Sequence, residues 1–445
     1  MTIVLQRRGA HAEHRLTAQE IPQAPIKRAV LLAHRECSCR RGLAPSDISI
    51  SCRPTTDGDD VAHLPEFRLE THLDRWEFAA QHHMTASDVE TMPMAELLEL
   101  ASEAEYADWT SLRLGYTEVS GDPQLRAAIA ATHTQAHAED VICFAGAEEG
   151  LYLAMQALLE PEDHAVVITP NYQSAETVPL SRCAVTGVAL DPAQHWALDV
   201  DQIVAALRPN TRMVYVNFPH NPTGAIPPQE EFRRLVQLCD ERGIHVFSDE
   251  VYRGLELGTR TALPQASDLS ERALSLNVTS KSLGLPGLRI GWITCRDPEV
   301  RRRLLRAKHY TTICNSAPSE ILARIALTNR PQLLQRTRAV LTANMVHFDA
   351  FFAEFADLFE WSHPDGGCVA FPRYLGTDGV EQMCHEVLHE AGVLLLPASV
   401  FHSELTPTPT DRFRIGFGRA EPQAGLEAFA AWLRKRAPRP APRST

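Results

Sequence analysis

Short apolar runs rich in β-branched residues alternate with amphipathic helical segments from about residue 141 to residue 294, and this alternation limits the fold more than any other feature of the sequence. Each helical segment is long enough to carry the chain back across a sheet, as parallel strands require. We therefore predict an α/β fold in which helices cover both faces of a mostly parallel sheet. The predicted strands are 141–144, 165–169, 185–189, 213–217, 245–248, 273–277 and 290–294.

Helical apolar spacing predicts further elements on both sides of this region. Pro123 follows Asp122 at the start of one predicted helix, a position that suits proline because its missing N–H would have no partner there. The predicted helices are 69–80, 94–107, 122–131, 151–159, 229–241, 299–307, 319–352, 380–391 and 423–434. Shorter strands are predicted at 369–371, 393–396 and 413–417.

The composition is that of a globular protein with an acidic surface. The chain has 445 residues, of which 44% are hydrophobic, and a formal net charge of −13. An acidic protein is a poor partner for nucleic acid or an anionic membrane, and we see no apolar run long enough to span a bilayer. The cysteines after residue 64 show no paired spacing, which favours reduced thiols and a cytoplasmic location. The Pro-rich stretch 437–445 is expected to be a disordered tail.

Residues 1–64 differ from the rest of the chain, because Lys and Arg outnumber Asp and Glu and because Gly, Pro and Ser interrupt the segment. We interpret them as a flexible extension, or as the result of a start codon assigned too far upstream. Cys37, Cys39 and Cys52, with His34 nearby, match no zinc-binding spacing. No metal site is predicted.

Three polar residues follow predicted strands at their carboxyl ends, where sites form in open α/β sheets. Asn221 follows the strand 213–217 and lies between two prolines that restrict its backbone. Asp249 follows the next strand, and a buried carboxylate is costly unless it meets a cation or an N–H group. Lys281 follows the strand 273–277. A buried lysine there is tolerable if its pKa is depressed or if it is held as an imine.

Arg289 lies eight residues beyond Lys281 and offers a positive fork suited to phosphate. A lysine with a phosphate-binding arginine is the pair that a pyridoxal phosphate site needs, and Asp249 would suit the protonated pyridine nitrogen. Tyr252 could donate to the phenolic oxygen of the ring. Plainer interpretations stay open: Lys281 and Arg289 flank a surface turn, Asp249 is a helix N-cap, and Asn221 belongs to a Pro-rich turn.

Three further features are weaker on their own. The turn at Gly146 opens a helix whose N-terminus suits phosphate, provided that the Glu148 and Glu149 side chains point away. Tyr172 follows the strand 165–169 and would either stack on a planar ring or fill the core. Arg414 lies in an apolar strand with no adjacent acid, so its partner is a substrate carboxylate or a distant acidic residue.

Taken in this order, these residues resemble the class I/II aminotransferases, the large pyridoxal-phosphate-dependent superfamily with the aspartate aminotransferase fold. The resemblance covers about residues 66–436. Its most specific parts are Asn221-Pro-Thr-Gly224, Asp249-Glu-Val-Tyr252, and Ser280-Lys281 followed by Arg289.

The resemblance implies a homodimer and a division of each chain into two domains. The large domain, 115–325, would contain a seven-stranded sheet and bind the cofactor. Both ends of the chain, 65–114 and 326–436, would form a smaller α+β lobe.

The resemblance also implies catalytic roles. Lys281 would be the Schiff-base lysine and proton shuttle, and Asp249 would pair with the pyridine nitrogen. Asn221 and Tyr252 would contact the phenolic oxygen. Arg414 would bind the substrate α-carboxylate, together with Asn221.

The remaining implied roles concern the phosphate and the ring. Ser280, Arg289 and the backbone of Ala147 and Glu148 would hold the phosphate, and Tyr172 would stack on the ring. Tyr116 would reach across the dimer interface to the partner's phosphate.

The sequence departs from the family pattern at two places. Val278 stands where many members have a phosphate-binding hydroxyl, so the phosphate would depend more on Ser280 and Arg289. The segment 76–90 lacks the usual Gly-containing substrate loop. That segment and four others look like the capreomycidine synthase branch, whose members act on a β-hydroxylated arginine in peptide-antibiotic pathways. The other four are 217–221, 284–289, 366–373 and 412–417.

Three functions follow as hypotheses. The first is transfer of an amino group between an amino acid and a 2-oxo acid. The second is β-elimination and ring closure on a hydroxylated arginine, although the 249–252 motif is of the plain aminotransferase type. The third is a regulator that keeps the fold as a binding module, for which residues 1–64 offer no convincing pair of DNA-binding helices. A cationic substrate is expected if Glu77, Asp88 or Glu90 lines the pocket.

Overall fold

The computed structural model describes residues 64–436, so nearly all of the predicted extension, with its four potential metal ligands, and the predicted tail lie outside the described residues. Within this range no helix is both long and apolar enough to cross a membrane. The helices are α1 (Arg68–Trp76), α2 (Met94–Glu99), α3 (Glu103–Ser111), α4 (Pro123–Ala130), α5 (Ala147–Leu158), α6 (Ser174–Leu180), α7 (Val200–Ala206), α8 (Gln229–Glu241), α9 (Ala266–Leu269), α10 (Pro298–Lys308), α11 (Ala317–Thr328), α12 (Arg330–Glu354), α13 (Val380–Ala391) and α14 (Gln423–Arg436).

The strands form one large sheet and three small ones within the described residues. They are β1 (His82–His83), β2 (Val141–Phe144), β3 (His164–Thr169), β4 (Ala184–Ala189), β5 (Thr211–Asn217), β6 (His245–Asp249), β7 (Leu274–Val278), β8 (Gly291–Thr294), β9 (Phe359–Glu360), β10 (Val369–Ala370), β11 (Arg373–Tyr374), β12 (Val393–Leu394), β13 (Leu396–Pro397) and β14 (Phe413–Gly416).

The large sheet has seven strands in the order β2-β8-β7-β6-β5-β3-β4. Strand β8 runs antiparallel to its neighbours β2 and β7, and the other paired strands are parallel. Helical crossovers join the parallel strands, as the alternation in the sequence requires. The predicted α/β fold with a mostly parallel, seven-stranded sheet is confirmed.

Side chains on the two faces of the sheet belong to two different apolar cores. On β3, Ala165 and Val167 pack into one core while Val166 and Ile168 pack into the other. Successive side chains on a strand point to opposite faces, so both faces of this strand are buried. This explains why the central strands read as nearly continuous apolar runs rather than as polar and apolar alternation.

The carboxyl ends of β5, β6 and β7 lie side by side. Asn217 at the end of β5 is in register with Asp249 at the end of β6. Lys281 lies three residues beyond the end of β7, the neighbour of β6. Asn221 follows the end of β5 by four residues. The three residues predicted at strand ends, Asn221, Asp249 and Lys281, therefore lie at the same edge of the sheet.

One of the small sheets joins the N-terminal part of the described chain to its C-terminal part. Strand β1 pairs with β12 in parallel, and β10, β14 and β13 form an antiparallel sheet. The backbone N–H of Gly416, on β14, donates to the carbonyl oxygen of Met84 at 2.8 Å. The segment that follows β1 is therefore held beside β14, close to the edge of the large sheet.

The prediction of one helix over 94–107 is wrong, because the chain breaks into α2 and α3. Ser102 starts the second helix with a reciprocal cap. Its hydroxyl accepts from the N–H of Glu105 at 3.3 Å, while the Glu105 carboxylate accepts from the N–H of Ser102 at 2.9 Å. Such a cap satisfies N–H groups that a new helix leaves free, and it offsets the break.

Two other predicted elements are also divided. The stretch 319–352 is interrupted at Asn329 (φ −103°, ψ 21°), and Pro331 lies in the first turn of α12. Proline cannot donate its N–H, so it is favoured where a helix begins. The predicted strand 393–396 is two strands, β12 and β13, which pair with different partners.

Candidate active site

A cavity of about 540 Å³ lies at the carboxyl ends of β5, β6 and β7. Ten of the eleven residues predicted for the site line it, although they come from distant parts of the sequence. They are Ala147, Glu148, Tyr172, Asn221, Asp249, Tyr252, Ser280, Lys281, Arg289 and Arg414.

Lys281 presents its amine to the inside of the cavity. Its Nζ donates to Ser87 Oγ at 2.8 Å. Burial lowers the pKa of Lys281, while the charge of Asp88 opposes that shift. A lowered pKa favours the neutral amine, the form that acts as a nucleophile or a base.

Asp249 is a buried carboxylate, only 7% exposed, at the end of β6. It accepts hydrogen bonds from Tyr215 Oη at 3.0 Å and from the N–H of Val251 at 3.1 Å. Burial raises the pKa of Asp249 to about 6, against these two hydrogen bonds and the charge of Lys281. A cationic group held at this carboxylate would relieve the cost of its burial.

Asn221 and Arg414 form one polar unit. Arg414 is 1% exposed, and its guanidinium donates to Asn221 Oδ1 at 3.2 Å and to the carbonyl oxygen of Thr85 at 2.9 Å. The N–H of Asn221 in turn donates to Asn217 Oδ1 at 2.8 Å. These bonds hold Arg414 by neutral oxygens, without a carboxylate within 4.0 Å among the described residues. Its charge is therefore available to an anionic ligand.

The residues expected to hold a phosphate fit that group. The Oγ of Ser280 is buried and lacks a hydrogen-bond partner among the described residues. A Cβ placed on Gly146 would lie 2.5 Å from a guanidinium nitrogen of Arg289, so the arginine lies directly against the turn that opens α5. Free N–H groups and the dipole of α5 add to this positive environment. An unsatisfied hydroxyl, a guanidinium and a helix N-terminus together suit a phosphate.

The two glutamates at the start of α5 behave differently. Glu149 turns away from the cavity, and its carboxylate accepts from the hydroxyls of Thr311 and Thr312. Glu148 faces the cavity and accepts from Ser174 Oγ at 3.1 Å. Burial raises the pKa of Glu148 to about 7, and the nearby charges of Glu70 and Asp249 act in the same direction. Of the two acids expected to point away from a phosphate at this turn, Glu149 lies outside the cavity, whereas Glu148 lines it and is held by Ser174.

Two tyrosines border the cavity through hydrogen bonds to the N-terminal part of the described chain. Tyr172 donates to Glu70 Oε1 at 2.6 Å, and its ring packs against Phe67. Tyr252 donates to the carbonyl oxygen of Ser87 at 3.0 Å. The single hydroxyl proton of Tyr252 is therefore engaged with Ser87, so the predicted donation to a phenolic oxygen would require this hydrogen bond to be exchanged.

Tyr116 is the predicted site residue that does not line the cavity. It is 94% exposed and lies on the loop between α3 and α4.

A cationic substrate is predicted if any one of three acidic residues lines the cavity. Glu77 and Asp88 line the cavity, whereas Glu90 does not, and its carboxylate accepts from the N–H of Ala420 at 2.8 Å.

Sequence reasoning missed several residues that hold the site together. Thr85 and Ser87 contact Arg414 and Lys281, and Tyr215 contacts Asp249. Tyr215 lies inside β5 and reads as an ordinary core residue. Thr85 and Ser87 lie outside any helix or strand, so no periodic pattern marks them. Asn217, at the end of β5, could have been found from its position beside Asp249.

Comparison with known proteins agrees with this geometry. Residues 84–431 match the family "Aminotransferase class I and II". Capreomycidine synthase of Streptomyces vinaceus is 31% identical over 383 residues, which cover 83% of this chain and 94% of that protein.

Two solved structures also resemble the chain. A PLP-dependent aminotransferase from Streptococcus suis 89-1591 has a TM-score of 0.78 at 27% identity, covering 85% of this chain and all (100%) of that one. The PLP-dependent cyclase OrfR has a TM-score of 0.73 at 26% identity, covering 87% of this chain and 100% of its own. The relatives thus include both an aminotransferase and a cyclase. The chain belongs to the class I and II aminotransferase family, whose cofactor is pyridoxal 5′-phosphate.

Proposed function

We propose that this protein is an aminotransferase that moves an amino group between an amino acid and a 2-oxo acid. The observation that carries the proposal is the meeting of one half-buried lysine amine, one buried carboxylate and one buried guanidinium in a single cavity. These are Lys281, Asp249 and Arg414.

Pyridoxal phosphate, when bound, supplies an electron sink for bonds at the carbon that carries the amino group. In this proposal Asp249 holds the proton on the pyridine nitrogen, while Asn221 and Tyr252 contact the phenolic oxygen. Tyr172 stacks on the ring. Ser280, Arg289 and the backbone N–H groups of Ala147 and Glu148 hold the phosphate.

Lys281 has two tasks in the proposed reaction. Its amine would hold the cofactor, and the free Nζ would take the proton from the α-carbon of the bound amino acid. A base needs a pKa near the working pH, and burial moves the pKa of Lys281 downward from that of an exposed lysine. The hydrogen bond to Ser87 Oγ supports the free amine inside the cavity.

Arg414 orients the substrate in this proposal. Its guanidinium is fixed by Thr85 and Asn221, so an α-carboxylate bound to it would be held at a defined distance from Lys281. Holding the substrate by its carboxylate at a defined distance from Lys281 lowers the entropic part of the activation barrier.

We also propose a cytoplasmic homodimer with the domain division implied by the family: a large domain over 115–325 and a small one from 65–114 and 326–436. The exposure of Tyr116, 94%, supports a role for this residue in contacting a second copy of the chain. In the dimer Tyr116 would reach the partner's phosphate site.

Elimination followed by ring closure on a hydroxylated arginine is the second candidate. It is supported by the 31% identity to capreomycidine synthase over most of both chains and by the fold likeness to a PLP-dependent cyclase. The same lysine, carboxylate and guanidinium would serve both reactions. The two candidates differ in whether a 2-oxo acid acceptor is needed.

One assay separates them. The purified protein is supplied with pyridoxal phosphate and a panel of amino acids, with and without 2-oxo acids. Stoichiometric appearance of a new 2-oxo acid from the donor supports transfer, whereas loss of water from a hydroxylated donor without any acceptor supports cyclisation. The Lys281→Ala variant should lose turnover in either case, and retained amino transfer by that variant would refute the assignment of Lys281.

A further inference from the structure

Three carboxylates line the cavity on the side formed by the N-terminal part of the described chain. Glu70 lies on α1, Glu77 follows the end of that helix, and Asp88 lies on the segment after β1. Glu77 is close enough to interact with the other two, since the charges of Asp88 and Glu70 both raise the pKa of Glu77 after the larger effect of burial. The cavity therefore has an acidic wall.

The cations of this region leave most of that acidic wall without a counterion. Asp88 pairs with Arg419 at 2.9 Å. Glu70 accepts a hydrogen bond from the neutral hydroxyl of Tyr172. Glu77 has His83 as its basic neighbour at 4.0 Å, and burial lowers the pKa of that histidine, which favours its neutral form at pH 7.

The other cations lining the cavity already have tasks in the proposed function. Arg289 is assigned to the phosphate, Lys281 to the cofactor and Arg414 to the α-carboxylate. Among residues 64–436, no Lys or Arg nitrogen lies within 4.0 Å of the carboxylates of Glu70 and Glu77. A positively charged ligand group would complete the charge balance there.

The order of contacts along residues 85–88 indicates where that group would lie. Thr85 contacts Arg414, Ser87 contacts Lys281, and Asp88 follows at the acidic wall. Three residues of chain span at most about 10 Å. This is the length scale of an amino acid whose carboxylate binds Arg414, whose amine meets Lys281, and whose long side chain reaches the acidic wall.

We propose that the amino donor carries a guanidinium or ammonium group at the end of its side chain, and that Glu77 is the residue that selects it. This inference rests on the proposed function, because it assumes that an amino acid binds at Arg414 and Lys281. Glu77 is the chosen residue because its side chain is 38% exposed and meets no Lys or Arg of the described chain, so it can accept a cation without breaking an existing ion pair.

The test compares L-arginine with L-citrulline, which has nearly the same shape but a neutral end. The rate at which each changes the visible absorption of the cofactor-loaded protein gives an apparent kcat/KM. We expect arginine to be preferred by roughly 10- to 100-fold, the range of a charge-assisted hydrogen bond. Glu77→Gln should reduce this preference to within a few-fold of unity by slowing arginine alone, and Glu77→Lys should shift the preference towards L-glutamate.

Glu90→Gln is the matched control, because Glu90 is a nearby glutamate on the segment after β1 and lies outside the cavity. This variant should keep the preference for arginine. Equal rates for arginine and citrulline in the parent protein would overturn the inference while leaving the proposed function intact. A preference that survives in both Glu77 variants would overturn the role of Glu77. If the cofactor binds but no amino acid changes its spectrum, the proposed function fails together with the inference.

Discussion

At the residue scale, the buried carboxylate of Asp249 is electrostatically unfavourable in the protein without cofactor. It is buried at the end of β6 with two hydrogen-bond donors, and its pKa is raised from an ordinary value near 3.8 to about 6. The raised pKa means that burial disfavours the carboxylate in spite of those donors. A cofactor that presents a protonated ring nitrogen would offset this cost only when it is bound.

The pH dependence of stability follows from this shift. Between pH 4 and 6 the folded cofactor-free protein holds a proton on Asp249 that the unfolded chain has lost, so this residue makes stability fall as the pH rises through that window. At pH 7 the loss is on the order of 1–3 kcal/mol. Asp249→Asn should therefore unfold at a higher urea concentration than the parent protein at pH 7, and the difference should shrink towards pH 4.

Activity should change in the opposite direction, because asparagine cannot hold the proton of a pyridine nitrogen as a carboxylate does. We expect Asp249→Asn to lower kcat by a factor of roughly 100 or more. A pH-independent stability difference between the two proteins, measured without cofactor, would contradict the raised pKa of Asp249.

At the scale of elements, the segment after β1 contacts both Arg414, proposed to bind the α-carboxylate, and Lys281, proposed to carry the chemistry. Residues 85–88 contact Arg414 and Lys281, and strand β14 holds this segment through its backbone. A Cβ on Gly416 would overlap the carbonyl oxygen of Ala86. The absence of a side chain at Gly416 thus sets the distance between β14 and the segment.

Gly416→Ala should force the segment away from β14. We expect a loss of about 1–3 kcal/mol of stability, typical of overpacking, and a fall in apparent amino-acid affinity larger than that of cofactor affinity. Gly287→Ala is the stability control, because a Cβ there would meet no atom within 4 Å among the described residues. Thermal unfolding and substrate titration measure the two effects. Equal melting temperatures for Gly416→Ala and the parent protein would contradict the predicted loss, because they would show that the segment moves away from β14 without a cost in stability.

The sequence predicted the elements of the large sheet well, since its central strands are nearly continuous apolar runs. Helix α8 was predicted with the bounds that the structure has. Two-residue strands such as β1 carry no readable pattern, and the divided strand 393–396 changes partner within a single apolar run. Pairing of that kind depends on contacts between distant parts of the chain, which periodicity does not record.

At the scale of the whole molecule, the site residues that could be predicted are those at strand ends. Asn221, Asp249 and Lys281 follow strands that lie side by side, so strand order alone brings them together. Thr85 and Glu70 reach the cavity by the packing of the N-terminal part of the described chain. Nothing local in the sequence marks such residues.

The proposed dimer also belongs to this scale. If Tyr116 serves the partner's site, Tyr116→Ala on one chain and Lys281→Ala on the other both fall in the same site of a mixed dimer. The other site would then combine Lys281 from one chain with Tyr116 from the other and would be intact. Co-expression of the two variants with different tags, followed by purification of the mixed dimer, should restore activity well above that of either variant alone.

Activity no higher than in the Tyr116→Ala homodimer would contradict a contribution across the interface. Size-exclusion chromatography of the parent protein tests the dimer itself. A monomer with full activity would leave Tyr116 without the proposed task.

The central claim is that the amine of Lys281 carries the cofactor, and it can be measured directly. The chain has four lysines, Lys27, Lys281, Lys308 and Lys435, so the labelled site can be assigned without ambiguity. Lys308 is the demanding control, because it is fully buried but donates to the carbonyl oxygens of Val119 and Cys143 at 2.7 and 2.6 Å. The protein is loaded with pyridoxal phosphate, reduced with borohydride, digested and analysed by mass spectrometry. The account predicts that the cofactor is found on the peptide containing Lys281; a label on another lysine, or none at all, would contradict it.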